Sequence, residues 1–355
     1  MKVLLAGGGH GHINVLKNLI KNPVDADFTL VTDFKRQYYS GMLPGFIEGI
    51  YTEDEISFNV PDLCKRAGVK YVEDKILSID QEAKKLYSEN AAYDYDIISI
   101  NLGSLSNIIF PIESENVCLV KPISEVVKAK EELDTYFKSQ GQSGRLIFIG
   151  GGASGVELAL AFRAAYKDVD IEIITAHDIL ENFNDRAKRK LEKILKDKNI
   201  FIRKNERVEK IKDQVVFTDK GTYDFTHAFI TTGFRGPDVK FDNFQTTDKN
   251  YLWVSDSLLA GDDALVMGDT ATLRAYPDLN KAGVFAIREA PILYANLIKA
   301  IENKTCFESY TPQTKYLQII NCGGKKAAAN YGGLAFYGRL MWKLKDKIDR
   351  KYMEV

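Results

Sequence analysis

Arg145-Leu146-Ile147-Phe148-Ile149-Gly150-Gly151-Gly152-Ala153-Ser154-Gly155-Val156-Glu157-Leu158 joins a strand to a helix through a glycine-rich turn. Arg145 and four apolar residues, Leu146–Ile149, form a strand-like run into glycines, and a helical pattern spans Gly155–Tyr166. Gly150, Gly152 and Gly155 stand in GxGxxG spacing. Gly150 permits a tight turn, Gly152 lets a pyrophosphate reach the backbone, and Gly155 lets helix and strand pack closely. Free N–H groups at the helix N-terminus offer partial positive charge to phosphates. Ile171–Thr175 then closes a βαβ unit, which predicts parallel strands.

Working outward, the same grammar opens the chain. Lys2–Ala6 reads as a strand, Gly7-Gly8-Gly9-His10-Gly11-His12 as the turn, His12–Leu19 as the helix and Phe28–Thr32 as the next strand. His12 stands where the third glycine belongs, with Gly11 just before it. An imidazole there is expected to crowd the helix–strand contact. The two turns imply a fold-level duplication.

Further strands are expected at Lys84–Ser88, Tyr95–Ile100, His227–Thr231 and Asp263–Met267, and helices at Pro122–Lys138 and Ala282–Ala300. Val208–Thr218 reads as a hairpin around Lys212-Asp213. Tyr316–Asn321 and Lys325–Asn330 read as another around Gly323-Gly324. Tyr337–Met353 reads as a basic amphipathic helix, with Tyr337, Leu340, Met341, Leu344, Ile348 and Tyr352 in one apolar arc.

The fold class is therefore α/β: two nested Rossmann-like dinucleotide-binding domains with a short C-terminal hairpin and helix. The expected division is 1–115 for the first part of one dinucleotide-binding domain and 116–240 for a second one inserted into it. Residues 241–310 return to the first domain, and 311–355 form the hairpin and helix.

A dinucleotide ribose is normally gripped by a carboxylate at the end of the second strand. In the first unit Asp33, one residue late, is the candidate. In the second, Thr175-Ala176-His177 offers no carboxylate and no arginine follows for a 2′-phosphate, so NADH, NADPH and an empty site all stay open. Gly268-Asp269, at a strand end, places a carboxylate where sugar-like hydroxyls can donate to it. Read alone, that aspartate is better explained as a helix N-cap or a turn residue.

Bulk composition excludes several classes. The 355 residues are 45% hydrophobic and 27% charged with net charge -1, a globular profile with no field for nucleic acid. No apolar stretch is long enough for a membrane span, and Met1-Lys2 lead straight into a strand, so no leader is expected. Cys64, Cys118, Cys306 and Cys322 form no CxxC pair, which fits a cytoplasmic location and argues against zinc or disulfides. His10 and His12 lack acidic or thiol partners nearby, so no metal site is expected.

The two glycine turns and Gly268-Asp269, in this order, resemble the two-dinucleotide-binding-domain flavoproteins, the pyridine nucleotide-disulfide oxidoreductase superfamily. Type II NADH dehydrogenases and sulfide:quinone oxidoreductases are among its members. The resemblance implies FAD on Gly7, Gly9, His10 and Gly11, with Gly268-Asp269 at the ribityl chain and Ile76 near the adenine. It implies NADH or NADPH on Gly150, Gly152 and Gly155. Thr231-Thr232-Gly233 is similar to a family turn whose earlier counterpart is Asn101-Leu102-Gly103, which adds Asn101, Gly103 and Gly233 to the site. A narrower resemblance rests on Gly7–His12, Tyr39-Ser40-Gly41-Met42-Leu43-Pro44-Gly45, Lys281-Ala282-Gly283-Val284 and Lys345–Arg350. It points to the flavoprotein domain found fused to selenide, water dikinase, and brings in Leu43 and Pro44; His12 fits that subgroup.

Two residues are the candidates for chemistry. Glu157 matches a glutamate near flavin and nicotinamide in type II NADH dehydrogenases, where a carboxylate can relay a proton; read alone, it equally favours the helix dipole. Lys281, with Ala282, opens a helix whose N-terminus would point at the flavin pyrimidine ring and stabilise reduced anionic flavin; read alone, it is an ordinary surface lysine. The dithiol-reductase reading fails for lack of CxxC or CxxxxC.

The leading expectation is an FAD-dependent oxidoreductase passing electrons from NAD(P)H to a quinone or other small acceptor. A nicotinamide-independent sulfide- or selenide-type oxidoreductase and a non-catalytic flavin-binding redox partner remain as alternatives. The tail implies either peripheral contact with the inner face of a membrane or docking on the protein body or on a second subunit of a homodimer.

Overall fold

The computed structural model describes residues 1–141 and 143–355. Two sheets carry the two glycine turns. The first has six strands in the order Leu259–Gly261, Ala264–Val266, Ile97–Ile100, Lys2–Ala6, Asp27–Thr32 and Lys70–Glu73. Every pairing in it is parallel except the hairpin between its first two strands. The second has five parallel strands, Val117–Leu119, His227–Ile230, Arg145–Ile149, Asp170–Ile174 and Ile200–Arg203. Leu146, Ile147 and Phe148 are all buried, because a parallel strand covered on both faces needs a continuous apolar run.

The duplication runs deeper than the turns. Ile97–Ile100, Lys2–Ala6, Asp27–Thr32 and Lys70–Glu73 are repeated in order by His227–Ile230, Arg145–Ile149, Asp170–Ile174 and Ile200–Arg203. Each unit also carries a three-stranded antiparallel meander, Ile76–Asp80, Lys85–Ser88 and Ala92–Asp94 in one, Val208–Lys212, Val215–Thr218 and Thr222–Asp224 in the other.

The helices His10–Lys21 and Ala153–Ala165 leave the two glycine turns. The segment from Tyr39 to Ile56 lies early in the chain, yet it packs in one apolar cluster with Phe148, Val156 and Phe162 of the second unit. It thereby bridges the two halves.

Three expectations need correction. The second meander turns at Asp213-Gln214, one residue late, and both residues take positive φ as a tight hairpin turn requires. The C-terminal sheet has a third strand, Leu334–Gly338, so Tyr337 pairs with Ala328 and the last helix is Arg339–Met353. The expected apolar arc of that helix also divides. Tyr352 packs inward together with Trp342 and Met353, while Leu340, Leu344 and Ile348 are 75%, 38% and 46% exposed.

Polar contacts share the inner face of this helix with those apolar residues. Tyr39 donates to Asp349 at 3.1 Å, Tyr51 donates to Asp346 at 2.5 Å, and Lys345 bridges Gly41 O and Asp349. Among the described residues, no helix is long and apolar enough to cross a membrane.

Candidate active site

Both glycine turns begin in the left-handed region, Gly7 at φ +90 and Gly150 at φ +123, where a side chain would be strained. The N–H of each donates across to the neighbouring strand, to Val31 O and Ile174 O, both at 2.8 Å. Neither helix N-terminus has a side-chain cap or an acidic residue in its first turn, so both favour an anion.

The turns differ in detail. In the second, a Cβ on Gly155 would collide with Gly150 O, so this glycine is required for helix–strand packing. Gly152 is exposed, and nothing of the protein lies within 4 Å of the point where its Cβ would be. That open ground beside an uncapped helix end suits a dinucleotide pyrophosphate.

In the first turn a Cβ on Gly9 would collide with Asn101, and one on Gly11 with Met267 Sδ. Asn101 ties the pieces together: its Oδ1 accepts from Gly11 N–H at 2.8 Å and its amide donates to Met267 O at 3.1 Å. His12 crowds nothing. Its ring turns inward, bonded to Gly7 O at 2.5 Å and Ser99 Oγ at 2.8 Å.

Asn101 delivers the strand end Val266-Met267, and with it Gly268 at φ +66 and Asp269, to the first turn. Asp269 accepts from Ser104 at 2.7 Å and is ion-paired to Lys121. Lys121 also donates to Ser104 at 2.7 Å and lies 4.2 Å above the Phe234 ring. Burial pushes the Asp269 carboxyl up, but Lys121, Ser104 and Lys281 outweigh it and the net shift is downward.

Next to Asp269, a pocket is lined by Lys281, Ala282, Phe285 and Glu289 at the start of the Gly283–Ile301 helix. Lys281 donates to Ala271 O and to Thr272 Oγ1 at 3.1 Å, with its ammonium 4.5 Å above Tyr251. Burial lowers its pKa to about 8, against the opposing pull of Asp269 and Glu289. Glu289 is 5% exposed and accepts from Gly268 N–H at 2.7 Å; burial raises it to about 7.

The first turn, Asn101, Gly103, Gly268, Asp269, Lys281 and Ala282 thus belong to one neighbourhood, with Gly103 O accepting from Thr270 at 3.1 Å. His10 borders it, since Asp269 and Lys121 both act on its ring. Leu43 and Pro44 are buried in the short helix Leu43–Ile47, Ile76 is buried at the start of its meander, and Gly233 O accepts from Asn107 N–H at 2.9 Å. Asp33 is exposed at the end of its strand.

Glu157 faces the C-terminal hairpin: its Oε1 accepts from Asn321 N–H at 2.7 Å. Burial raises it to about 7, with Lys345 opposing and Asp349 and Glu48 adding to the rise. At the second unit's strand end Thr175 is buried and His177 exposed, while the next carboxylate, Asp178, is engaged by Lys188 and by Lys204.

Sequence reasoning missed Lys121, Ser104 and Glu289. Lys121 and Ser104 carry no spacing signal. Glu289 left a faint one, a carboxylate on the same helical face as Phe285 and Leu293, both buried.

The family model for pyridine nucleotide-disulphide oxidoreductase matches residues 1–283, and the chain belongs to that family. The chain is 23% identical over 303 residues to the type II NADH:quinone oxidoreductase of Staphylococcus haemolyticus, covering 76% of this chain and 74% of that one. It is 25% identical over 341 residues to the NADH dehydrogenase-like protein YutJ of Bacillus subtilis, covering 92% and 91%. Among solved structures, NDH2 from Plasmodium falciparum in complex with NADH aligns with TM-score 0.85 at 16% identity, over 99% of this chain and 96% of that one. The sulfide:quinone oxidoreductase of Aquifex aeolicus aligns with TM-score 0.79 at 19% identity, over 99% and 90%. The chain is accordingly an FAD-dependent oxidoreductase that draws electrons from a pyridine nucleotide.

Proposed function

We propose that this member of the family oxidises NADH or NADPH on its second glycine turn and passes the electrons, through FAD on its first, to a quinone. The observation that carries the reading is the pair of uncapped, carboxylate-free helix ends, one open at Gly152 and the other joined through Asn101 to Asp269. The named relatives include NADH:quinone oxidoreductases, which supports the quinone.

FAD, when bound, supplies the two-electron carrier between a hydride donor and the acceptor. The chain's residues bind and orient. Gly7, Gly9, His10 and Gly11 would hold the pyrophosphate, and Asp269, kept ionised by Lys121, would accept from ribityl hydroxyls. Ile76 and Asp33 would meet the adenosine half, with Leu43, Pro44, Asn101 and Gly103 walling the cleft. Gly150, Gly152, Gly155 and Gly233 would hold the nicotinamide dinucleotide. Lys281 and the Ala282 helix end would balance negative charge on the reduced ring. Glu157, raised by burial to about 7, can take up or release a proton near neutral pH and is the candidate donor on the C-terminal side.

The division into 1–115, 116–240, 241–310 and 311–355 is part of this proposal. A sulfide-type reading is disfavoured at Cys322, beside Asn321, whose N–H donates to Glu157: the thiol is buried and pushed up to about 12, so it carries no thiolate at neutral pH.

Leu340, Leu344 and Ile348 form an exposed stripe flanked by Arg339, Lys343, Lys347 and Lys351. An apolar stripe in a basic surround suits an anionic membrane surface, where a quinone would be met. We assign the chain a peripheral position there, with docking of the stripe on a second copy as the competing arrangement.

The test is anaerobic titration of the flavin. NADH or NADPH should bleach it and a soluble quinone should restore it. Bleaching by sulfide, and by neither nucleotide, overturns the proposal.

A further inference from the structure

The C-terminal helix reaches the first glycine turn. Tyr352 Oη lies 2.9 Å from His10 Nδ1, joining residues 342 positions apart. The Tyr352 ring is edge-on to His10 at 5.5 Å and tilted against Tyr39 at 4.5 Å. Two turns along the helix that His10 begins, Lys17 donates to Tyr352 O at 2.7 Å and to Glu354 O at 2.6 Å. One helix therefore grips the chain's end at two points on the same side.

We propose that Tyr352 is a positioning residue for flavin binding, which fixes the ring orientation and tautomer of His10 so that His10 Nε2–H donates to the phosphate or ribityl oxygens of FAD. The idea rests on the reading of the first turn as the FAD site. Tyr352 Oη has no other hydrogen-bond partner among the described residues, and burial keeps the phenol protonated, so it donates and Nδ1 accepts. The proton of a neutral imidazole then sits on Nε2. Burial holds His10 neutral by lowering it to about 4, with Asp269 opposing and Lys121 and Lys17 assisting. A neutral donor of fixed orientation beside an uncapped helix N-terminus is suited to an anionic or hydroxyl-rich ligand.

The consequence is a link between the tail and the cofactor. Any event that lifts the last helix off the body would free His10 to rotate and loosen FAD.

The experiment is a double-mutant cycle on FAD affinity, read by fluorescence after removing and restoring FAD. Tyr352→Phe should raise the FAD dissociation constant about five- to tenfold, the range for one hydrogen bond. His10→Phe should raise it at least as much, and the double variant should equal His10→Phe alone. Tyr39→Phe, which removes a bond to Asp349 in the same aromatic cluster, serves as the packing control and should change affinity less than twofold. Equal loss from Tyr39→Phe and Tyr352→Phe, or additive losses in the double variant, overturns the inference. FAD binding unchanged in all variants overturns it as well, while failure of every form, the parent included, to take up FAD is instead the failure of the FAD reading itself.

Discussion

His12 Nδ1 lies 2.5 Å from the carbonyl oxygen of Gly7, inside the turn that the regular motif would close with a glycine. A carbonyl only accepts, so Nδ1 carries the proton and Nε2 accepts from Ser99. The second turn solves the same problem differently: Thr231 Oγ1 serves Gly150 O, and Gly155 leaves room. Replacing His12 by the motif's own glycine should therefore destabilise. His12→Gly empties a fully buried site and strips Gly7 O and Ser99 of their partner, a loss of about 2–4 kcal/mol. Denaturant unfolding measures it, and an unchanged midpoint would refute the assigned role.

Gly11 and Gly152 should separate folding from binding. Gly11→Ala meets Met267 and should cost about 1–3 kcal/mol in stability, with Gly11→Ala/Met267→Ala costing less than the sum of the two single changes. The Cβ that Gly152→Val adds has no protein atom within 4 Å, so stability should stay within about 1 kcal/mol of the parent. It should keep bound flavin yet lose reduction by NADH and NADPH. Normal reduction would show that the nucleotide binds elsewhere.

Glu289 should imprint a pH dependence on stability. Its folded pKa of about 7 stands above the usual carboxylate value because burial disfavours the charge. The native state thus holds a proton that the unfolded chain has released between roughly pH 4.5 and 7, and stability falls as pH rises through that window. Above about pH 7 the full cost, at most about 3 kcal/mol, is present. Glu289→Gln keeps an acceptor for Gly268 N–H and should flatten the profile, gaining most relative to the parent at pH 8. Parallel profiles from pH 5 to 8 would rule the carboxyl out as their source.

Lys121 should control Asp269. Lys121→Met removes the cation that holds the carboxylate down, and Asp269 then retains only Ser104 and the more distant Lys281. FAD affinity should fall about tenfold, and the loss should lessen as pH rises and Asp269 ionises again. A pH-independent loss would assign Lys121 to packing against Phe234.

The exposed stripe should respond to charge. Leu344→Glu with Ile348→Glu should leave folding intact, since both side chains face outward. Co-sedimentation with anionic vesicles should fall at least tenfold, because each buried aliphatic side chain is worth about 1.5–3 kcal/mol. Salt should weaken the parent's binding. Dimer loss without any vesicle binding by the parent would favour the second-copy arrangement.

Short-range backbone demands were legible in the residues alone. Gly7 and Gly150 announce two turns because few residues tolerate their φ, and the unbroken apolar runs beside them announce covered parallel strands. Gly268-Asp269 was legible for the same reason, as a turn at a strand end. Tertiary structure alone decided who answers those groups. Lys121 reaches Asp269 across 148 positions and Tyr352 reaches His10 across 342, distances over which no periodicity constrains a side chain. It also decided which face of the last helix is buried. A wheel sorts residues by polarity, but Lys345 and Asp349 go inward because Gly41 and Tyr39 pair with them there, while Leu340 is left outside. Burying a polar group costs little once a partner is waiting, and only the assembled fold supplies the partner.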